Sequence, residues 1–347
     1  MSVKTVNEIF GKYEVSKGVN QNDLEILASN PKTQSIQFAS PLTDKEIELL
    51  ELVVFSKRPD ISLRVYGHYG ETCDLAFIQK IPSLRKFSAD CLTDANGIEV
   101  VAQLENLEHL GVGIFNLDNF DFLDKINSKL KELYLHQTKS KKPKIGSIQR
   151  FEQLEFLYLE GQQKGIEAIS NLKKLEKIVL NSISTNNIDY LKNLEHLWSV
   201  DIKLGSIKDL SSLTTLPSLK YLELWQIRDL SDLSFISELR SLQNLFIQSL
   251  KHITKLPDFS NNKKLIRIYL ENLKGLKDLS ALKNAPSLKE FIYVSAENQE
   301  PENLIPVLEN PTVEMVFCRF GNDKKNNRFD ELAKQYNKSE YKHETYK

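Results

Sequence analysis

The chain of 347 residues is short of the features that mark several protein classes. It has 3 cysteines, 2 methionines, 13 glycines and 11 prolines. Cys73, Cys91 and Cys318 are odd in number, widely spaced and form no Cys-x-x-Cys pair, which excludes a disulfide framework and a zinc knuckle. A reducing, cytoplasmic setting is expected from that usage. So little glycine and proline excludes collagen-like and low-complexity chains. No apolar run approaches the roughly 18 residues of a membrane span. The opening stretch, MSVKTVNEIFGKYEVSKGVNQ, holds no apolar segment of signal-peptide length. Charge of one sign is missing too: 46 Lys+Arg against 47 Asp+Glu leave a formal net charge of −1. That balance disfavours a nucleic-acid partner bound by bulk charge and a polybasic membrane contact.

Catalytic and ligand-holding motifs are also missing. The histidines, among them His68, His109, His136, His196 and His252, form no HxH or HxxxH pair, so no metal site is expected. There is no phosphate loop, dinucleotide fingerprint, nucleophile elbow or kinase signature, so no cofactor and no enzyme activity are expected. Gly111-Val112-Gly113 is only a fragment of such a loop, and its glycines read as room for a bulky neighbour.

What the sequence does contain is a period. The frame L-x-x-L-x-L fits Leu107/Leu110/Val112, Leu130/Leu133/Leu135, Leu154/Leu157/Leu159, Leu175/Ile178/Leu180 and Leu197/Val200/Ile202. It continues at Leu219/Leu222/Leu224, Leu242/Leu245/Ile247, Leu265/Ile268/Leu270 and Leu288/Phe291/Tyr293. Weaker copies stand at Leu84/Phe87/Ala89 and Val313/Val316/Cys318, and degenerate ones at Asp60/Leu63/Val65 and Thr33/Ile36/Phe38. Successive starts from Leu84 to Val313 lie 21 to 25 residues apart. A period of that length marks a stacked repeat array. Between frames the aliphatics fall every three residues, as in Leu75, Ile78 and Ile81, which suits a short 3₁₀ segment with one buried stripe. Asp-Leu-Ser at 209–211, 229–231, 232–234 and 278–280 supplies caps for such segments. Pro-Ser-Leu at 82–84, 217–219 and 286–288 ends them and leads into a strand.

These residues resemble a leucine-rich repeat protein, of the 22–23-residue subclass seen in internalin-like and phosphatase-regulator-like members. The resemblance spans roughly residues 33–320. It implies an α/β solenoid of about thirteen repeats, with a parallel β-sheet on a concave face and short helical or 3₁₀ segments on the convex face. One departure stands out: the family's asparagine slot, eight residues after each frame start, holds Gln162, Ile183, Gly205, Ile227, Leu250 and Leu273. The expected organisation is an N-terminal cap and first degenerate repeat over 1–59, the solenoid over 60–320, and a capping helix with a charged tail over 321–347. Thr43-Asp44 followed by Glu46, Ile47, Leu50 and Val54 predicts a capped helix over 44–57. Phe329, Leu332 and Tyr336 predict a short C-terminal one.

Because strand side chains alternate, the residues at offsets 2, 4 and 6 from each frame start face outward. Nine of these 39 positions are aromatic, where the chain's 9% would give three or four. Tyr66 stands apart, and the rest fall mainly into two groups. Tyr134, Phe156 and Tyr158 come with Glu132, His136 and Glu160. Tyr221, Trp225, Phe246 and Tyr269 come with Glu223, Arg267 and Glu271, and Phe317 and Arg319 follow. Exposed aromatics interleaved with arginine are the composition of protein interfaces. The expected function is therefore a non-enzymatic scaffold for a protein partner, of an inhibitor or immunity type or a regulatory type. Homodimerisation through the same strip, or an enzyme site on the concave face, are the alternatives. Trp198 at a strand entrance reads as packing, Cys318 as core and Cys91 as exposed. The basic run Lys139–Lys144 reads as a solvated loop.

Overall fold

Alternation along each frame sends its aliphatics to one side of an extended segment, and a strand forms on every one of them. The computed structural model describes residues 2–68, 71–140 and 143–342. The middle of the basic run and the end of the tail, at 141–142 and 343–347, lie outside the described residues. The chain forms two units, residues 1–175 and 176–347.

In the first unit the strands follow chain order: β1 (Val3–Asn7), β2 (Lys12–Val15), β3 (Ser35–Phe38), β4 (Ser62–Gly67), β5 (Lys86–Leu92), β6 (His109–Ile114), β7 (Glu132–Leu135) and β8 (Phe156–Glu160). β1 is antiparallel to β2, and every later pair is parallel. The second unit holds β9 (Lys177–Asn181), β10 (Ser199–Lys203), β11 (Tyr221–Trp225), β12 (Asn244–Gln248), β13 (Arg267–Glu271), β14 (Glu290–Val294), β15 (Met315–Cys318) and β16 (Ser339–Glu340), all parallel to their neighbours. Frames align residue for residue, as in Leu222, Leu245, Ile268 and Phe291 across β11 to β14. Those four side chains are buried, as are Leu84, Leu107, Leu130 and Leu154 at the frame starts. Each fully buried Leu contributes about 2 kcal/mol.

Behind the strands run 3₁₀ segments such as Leu75–Lys80, Ile98–Gln103, Ser211–Thr215 and Ser280–Asn284. Three of the four Asp-Leu-Ser copies cap them: Asp209, Asp232 and Asp278 accept the backbone N–H of Ser211, Ser234 and Ser280 at 2.8, 2.9 and 2.9 Å. Asp229 does not. The segment after it begins at Ser234, so the second of the overlapping copies caps it and Asp229 accepts the Ser206 hydroxyl instead.

The ends are built differently. Helix α1 (Gln21–Ser29) and helix α2 (Asp44–Leu49) belong to the first unit. The Thr43 and Glu46 side chains form a reciprocal capping box on α2, and the Glu46 carboxylate also accepts the Gly18 N–H. The helix expected over 44–57 is α2 followed by a wider π turn, Leu50–Phe55. At the other end lie the single turn α3 (Ile305–Leu308) and helix α4 (Asp323–Gln335), which buries Phe329 and Leu332 and ends with Tyr336 as its C-cap residue. The β1–β2 hairpin and α1 went unread in the sequence. β2 aligns Tyr13 and Val15 with the frame but puts an exposed Phe10 at its first position, so the aliphatic pattern fails there.

The missing asparagine has a structural answer. The residue just after each of β9 to β14 takes the left-handed conformation: Ser182, Leu204, Gln226, Ser249, Asn272 and Ser295 lie at φ between 51° and 61°. Their turns hand the backbone ladder on. The N–H groups of Ser182, Leu204, Gln226 and Ser249 donate to Lys203, Trp225, Gln248 and Glu271 carbonyls at 2.8 to 2.9 Å. Asparagine instead works ahead of the strand. The Nδ2 of Asn262 donates to the Ile236 and Leu239 carbonyls at 2.9 and 3.0 Å, and that of Asn310 to Leu282 and Ala285 at 2.8 and 2.9 Å.

Non-glycine side chains at positive φ cost about 1 kcal/mol each. Gln226 is exposed at φ 52°. Gln226→Gly therefore keeps or raises stability, whereas the β-branched Gln226→Val lowers it by about 1–2 kcal/mol. Urea unfolding of the two variants beside the parent checks the order.

Candidate functional site

Outward side chains of adjacent strands lie beside their register partners, so the period places the candidate residues in rows. In the first unit, β7 and β8 pair Tyr134 with Tyr158 and Glu132 with Phe156. The Tyr134 ring stacks on Phe156 at 4.7 Å between centroids and 27° between planes, and lies 6.2 Å from Tyr158. Two imidazoles lean on this stack: His109 on Tyr134 and His136 on Tyr158, each at 5.0 Å. His109 Nδ1 meets the Glu132 carboxylate at 2.9 Å, and His136 Nδ1 meets Glu160 at 3.2 Å. The Tyr134 and Tyr158 hydroxyls donate to the same two carboxylates at 3.5 and 3.4 Å. The His109 contact holds the Glu132 carboxyl below its ordinary range, while burial, then Glu132, pushes the Tyr134 phenol up to about 12. Gln162, in the family's asparagine slot, is buried and donates to the His136 carbonyl at 2.9 Å, which steadies that corner.

Gly111 and Gly113 make room for neighbours, though these are Ser88 and Asp90 rather than the bulky side chain expected. A Cβ at Gly111 would stand 2.6 Å from Ser88 Oγ, and one at Gly113 3.0 Å from Asp90 Cβ. Ser88 Oγ lies 3.3 Å from His109 Nε2, which completes a Ser88–His109–Glu132 line across β5, β6 and β7. The line has the order of a hydrolytic relay, yet β6 runs between two parallel neighbours, so its N–H groups are engaged in the ladder rather than free to hold an oxyanion. It orients His109. These three residues were legible only as frame offsets; no spacing motif joins them.

Toward β4 the face is satisfied internally. Arg64 forks onto Asp90, donates to Gln37 at 3.1 Å and lies over the Tyr66 ring at 4.5 Å.

In the second unit Tyr221 donates to Glu223 at 2.9 Å. Lys203 Nζ reaches Glu223 at 3.0 Å and Asp201 at 3.6 Å, and stands 6.0 Å from the Trp225 ring centre. Phe246 stacks on Tyr269 at 4.9 Å, and the Gln248 amide donates to Glu271 at 3.0 Å. Lys177 covers Trp198 at 4.5 Å, the packing role expected of that tryptophan. Part of the strip is not open. Arg267 pairs with Glu290 and lies 5.5 Å from the Tyr341 ring. Arg319 covers Phe317 at 4.2 Å and bridges to Asp330 and Glu340 at 3.1 and 3.2 Å. Ile292, read as outward, is fully buried. Its row neighbours are the large Tyr269 and Phe317, and beyond Phe317 comes Tyr341, whose ring lies near Arg267. The polar Ser339-Glu340 strand that brings it there carries no aliphatic frame to read.

Cys73 and Cys318 are buried, and Cys91 is exposed in its left-handed turn. Among the described residues no group of three His, Cys, Asp or Glu side chains is placed to hold a metal, and no helix is long and apolar enough to cross a membrane. A cleft of about 600 Å³ lies off this face, lined by Gln149, Glu152, Gln153, Asn171, Lys173 and Lys174.

The sequence matches no family model and no curated protein. Solved structures do match. An internalin of Listeria monocytogenes aligns over 91% of this chain and 88% of its own, with a TM-score of 0.57 at 20% identity. TLR13, in its complex with ssRNA13, aligns over 86% of this chain and about half of its own (52%), with a TM-score of 0.51 at 17% identity. The chain has the leucine-rich repeat fold. In the turn after β9 to β12, left-handed serine, leucine and glutamine carry the inter-repeat ladder.

Asp201 is the outward carboxyl in the least favourable place. Burial, then Glu223, pushes it up to about 6, and its Oδ1 has no hydrogen-bond partner. Its folded-state value is raised, so ionisation costs stability above pH 6 and costs nothing once the group is protonated in both states. Asp201→Asn therefore stabilises the protein at pH 7–8 by about 2 kcal/mol, and the gain fades as pH falls from about 6 to 4. Thermal unfolding of both proteins across that range checks the sign.

Proposed function

We propose that the chain is a non-enzymatic scaffold that recognises a protein partner on the outward face of its sheet, with residues 60–320 as the binding array and 1–59 and 321–347 as its caps. The observation that carries this reading is the Tyr134–Phe156–Tyr158 stack. Its rings are half-buried against each other rather than sunk in the core, and hydrogen-bonding groups frame them. Large, rigid rings already ordered by stacking lose little entropy on binding, the property of interface anchors. Tyr221, Trp225, Phe246 and Tyr269 supply a second such group, with Glu223 and Glu271 beside them. His136 and Glu160 frame the first. The tied-down Arg267, Phe317 and Arg319 are its rim rather than its centre.

The role is that of an inhibitor, immunity or regulatory protein, which needs a specific surface and no chemistry. Three unpaired thiols suit a reducing compartment, and action in the cytoplasm is part of the proposal. TLR13 was solved with RNA, but here the balanced charge of the chain favours a protein.

Tyr158→Ala and Trp225→Ala leave the fold intact by circular dichroism and each weaken the partner captured from the native cell by about 2 kcal/mol, roughly thirtyfold. Equal affinity of both variants and parent would remove the face from consideration. A shift of the parent to dimer in sedimentation, lost in the same variants, would make a second copy the partner.

A further inference from the structure

The outward carboxylates of the sheet are not alike in what answers their charge. Asp90 is matched by Arg64, Asp201 and Glu223 by Lys203, and Glu290 by Arg267. Glu132 and Glu160, at opposite ends of the aromatic stack, make ion-pair contacts among the described residues with histidine only. An imidazole cancels a carboxylate's charge only while it is protonated, whereas arginine and lysine stay charged at neutral pH. Lys86 lies near enough to lower Glu132 further but makes no ion pair with it. Neither Lys139 nor Lys144 of the basic loop pairs with Glu160 in the way Lys203 pairs with Glu223. The Glu132 side chain is 45% exposed and that of Glu160 26%, so both can be reached from solvent.

Resting on the binding reading above, we infer that this face receives an extended segment of the partner that carries two arginines four residues apart, with an apolar residue midway between them. Strand geometry sets the spacing. Glu132 is the register partner of Phe156, and Glu160 lies four residues further along β8. The two positions are therefore about 14 Å apart, from about 13 Å along the strand and about 4.8 Å across it. Residues i and i+4 of an extended chain span the same distance and point to the same side, as does i+2. A segment lying along β7 and β8 thus sets one arginine at Glu132, one at Glu160 and its middle side chain on the Tyr134 and Tyr158 rings. Arginine fits better than lysine: its planar guanidinium forks onto a carboxylate with two parallel hydrogen bonds, which a lysine ammonium cannot make.

The test uses the full chain and a fluorescent peptide containing Arg-Ala-Leu-Ala-Arg, followed by anisotropy. Control peptides place the two arginines side by side or replace them with glutamate. Saturable binding is expected, weaker by roughly tenfold in Glu132→Gln, in Glu160→Gln and for the side-by-side peptide, and absent for the glutamate peptide. Both glutamines still accept from the neighbouring histidine, so the variants keep the fold, and circular dichroism verifies it. Equal binding of the control peptides, parent-like affinity of the two variants, or no binding at millimolar peptide would each overturn the inference. If the peptide fails while the captured partner still depends on Tyr158, the binding face stands and only the arginine pair falls.

Discussion

No coil of this protein can bury its own aliphatic stripe. Leu133 has its cover only because Leu157 lies one strand away, and Leu222 because Leu245 does. Everything else in the structure depends on that shared burial. It makes the strands parallel and in register, because only equal offsets bring frame aliphatics into one layer. It pushes the 3₁₀ halves to the other side, and it leaves the alternate strand positions facing out whatever their chemistry. Function in such an array is written on positions that the core does not constrain.

The turns show what this dependence demands of the backbone. From β9 to β14 the chain leaves each strand within one residue, re-enters the ladder of the next coil and uses a left-handed residue there. Here the position is occupied mostly by side chains that pay for the conformation, such as Leu204 and Gln226. The ladder bonds from their N–H groups, and the Asn262 and Asn310 amides placed ahead of the strands, replace the asparagine that this fold commonly keeps after them.

Most of the fold was legible because its signal is repeated: one degenerate copy is ambiguous, whereas many at the same spacing are not. Legibility failed where the repeat stops. The β1–β2 hairpin lacks an aliphatic frame, and β16 is Ser-Glu with Tyr341 following. Alternation alone made Ile292 outward, yet it is fully buried in a row with Tyr269 and Phe317. At the candidate site the rows were legible and their partnerships were not. Ser88, His109 and Glu132 are offsets of three different frames, and nothing in their local sequence says that their side chains meet.

By itself the sequence determined the period, the strand on every frame and the frame aliphatics of the core, since all of these follow from local alternation and a fixed repeat length. The tertiary structure decided which outward charges are already answered and which are left for something else. Arg64 reaches Asp90 and Lys203 reaches Glu223, while the ion-pair partners of Glu132 and Glu160 among the described residues are imidazoles. That sorting is a property of long side chains crossing between strands about 4.8 Å apart. It depends on rotamers and neighbours more than twenty residues away in sequence, where periodicity carries no information.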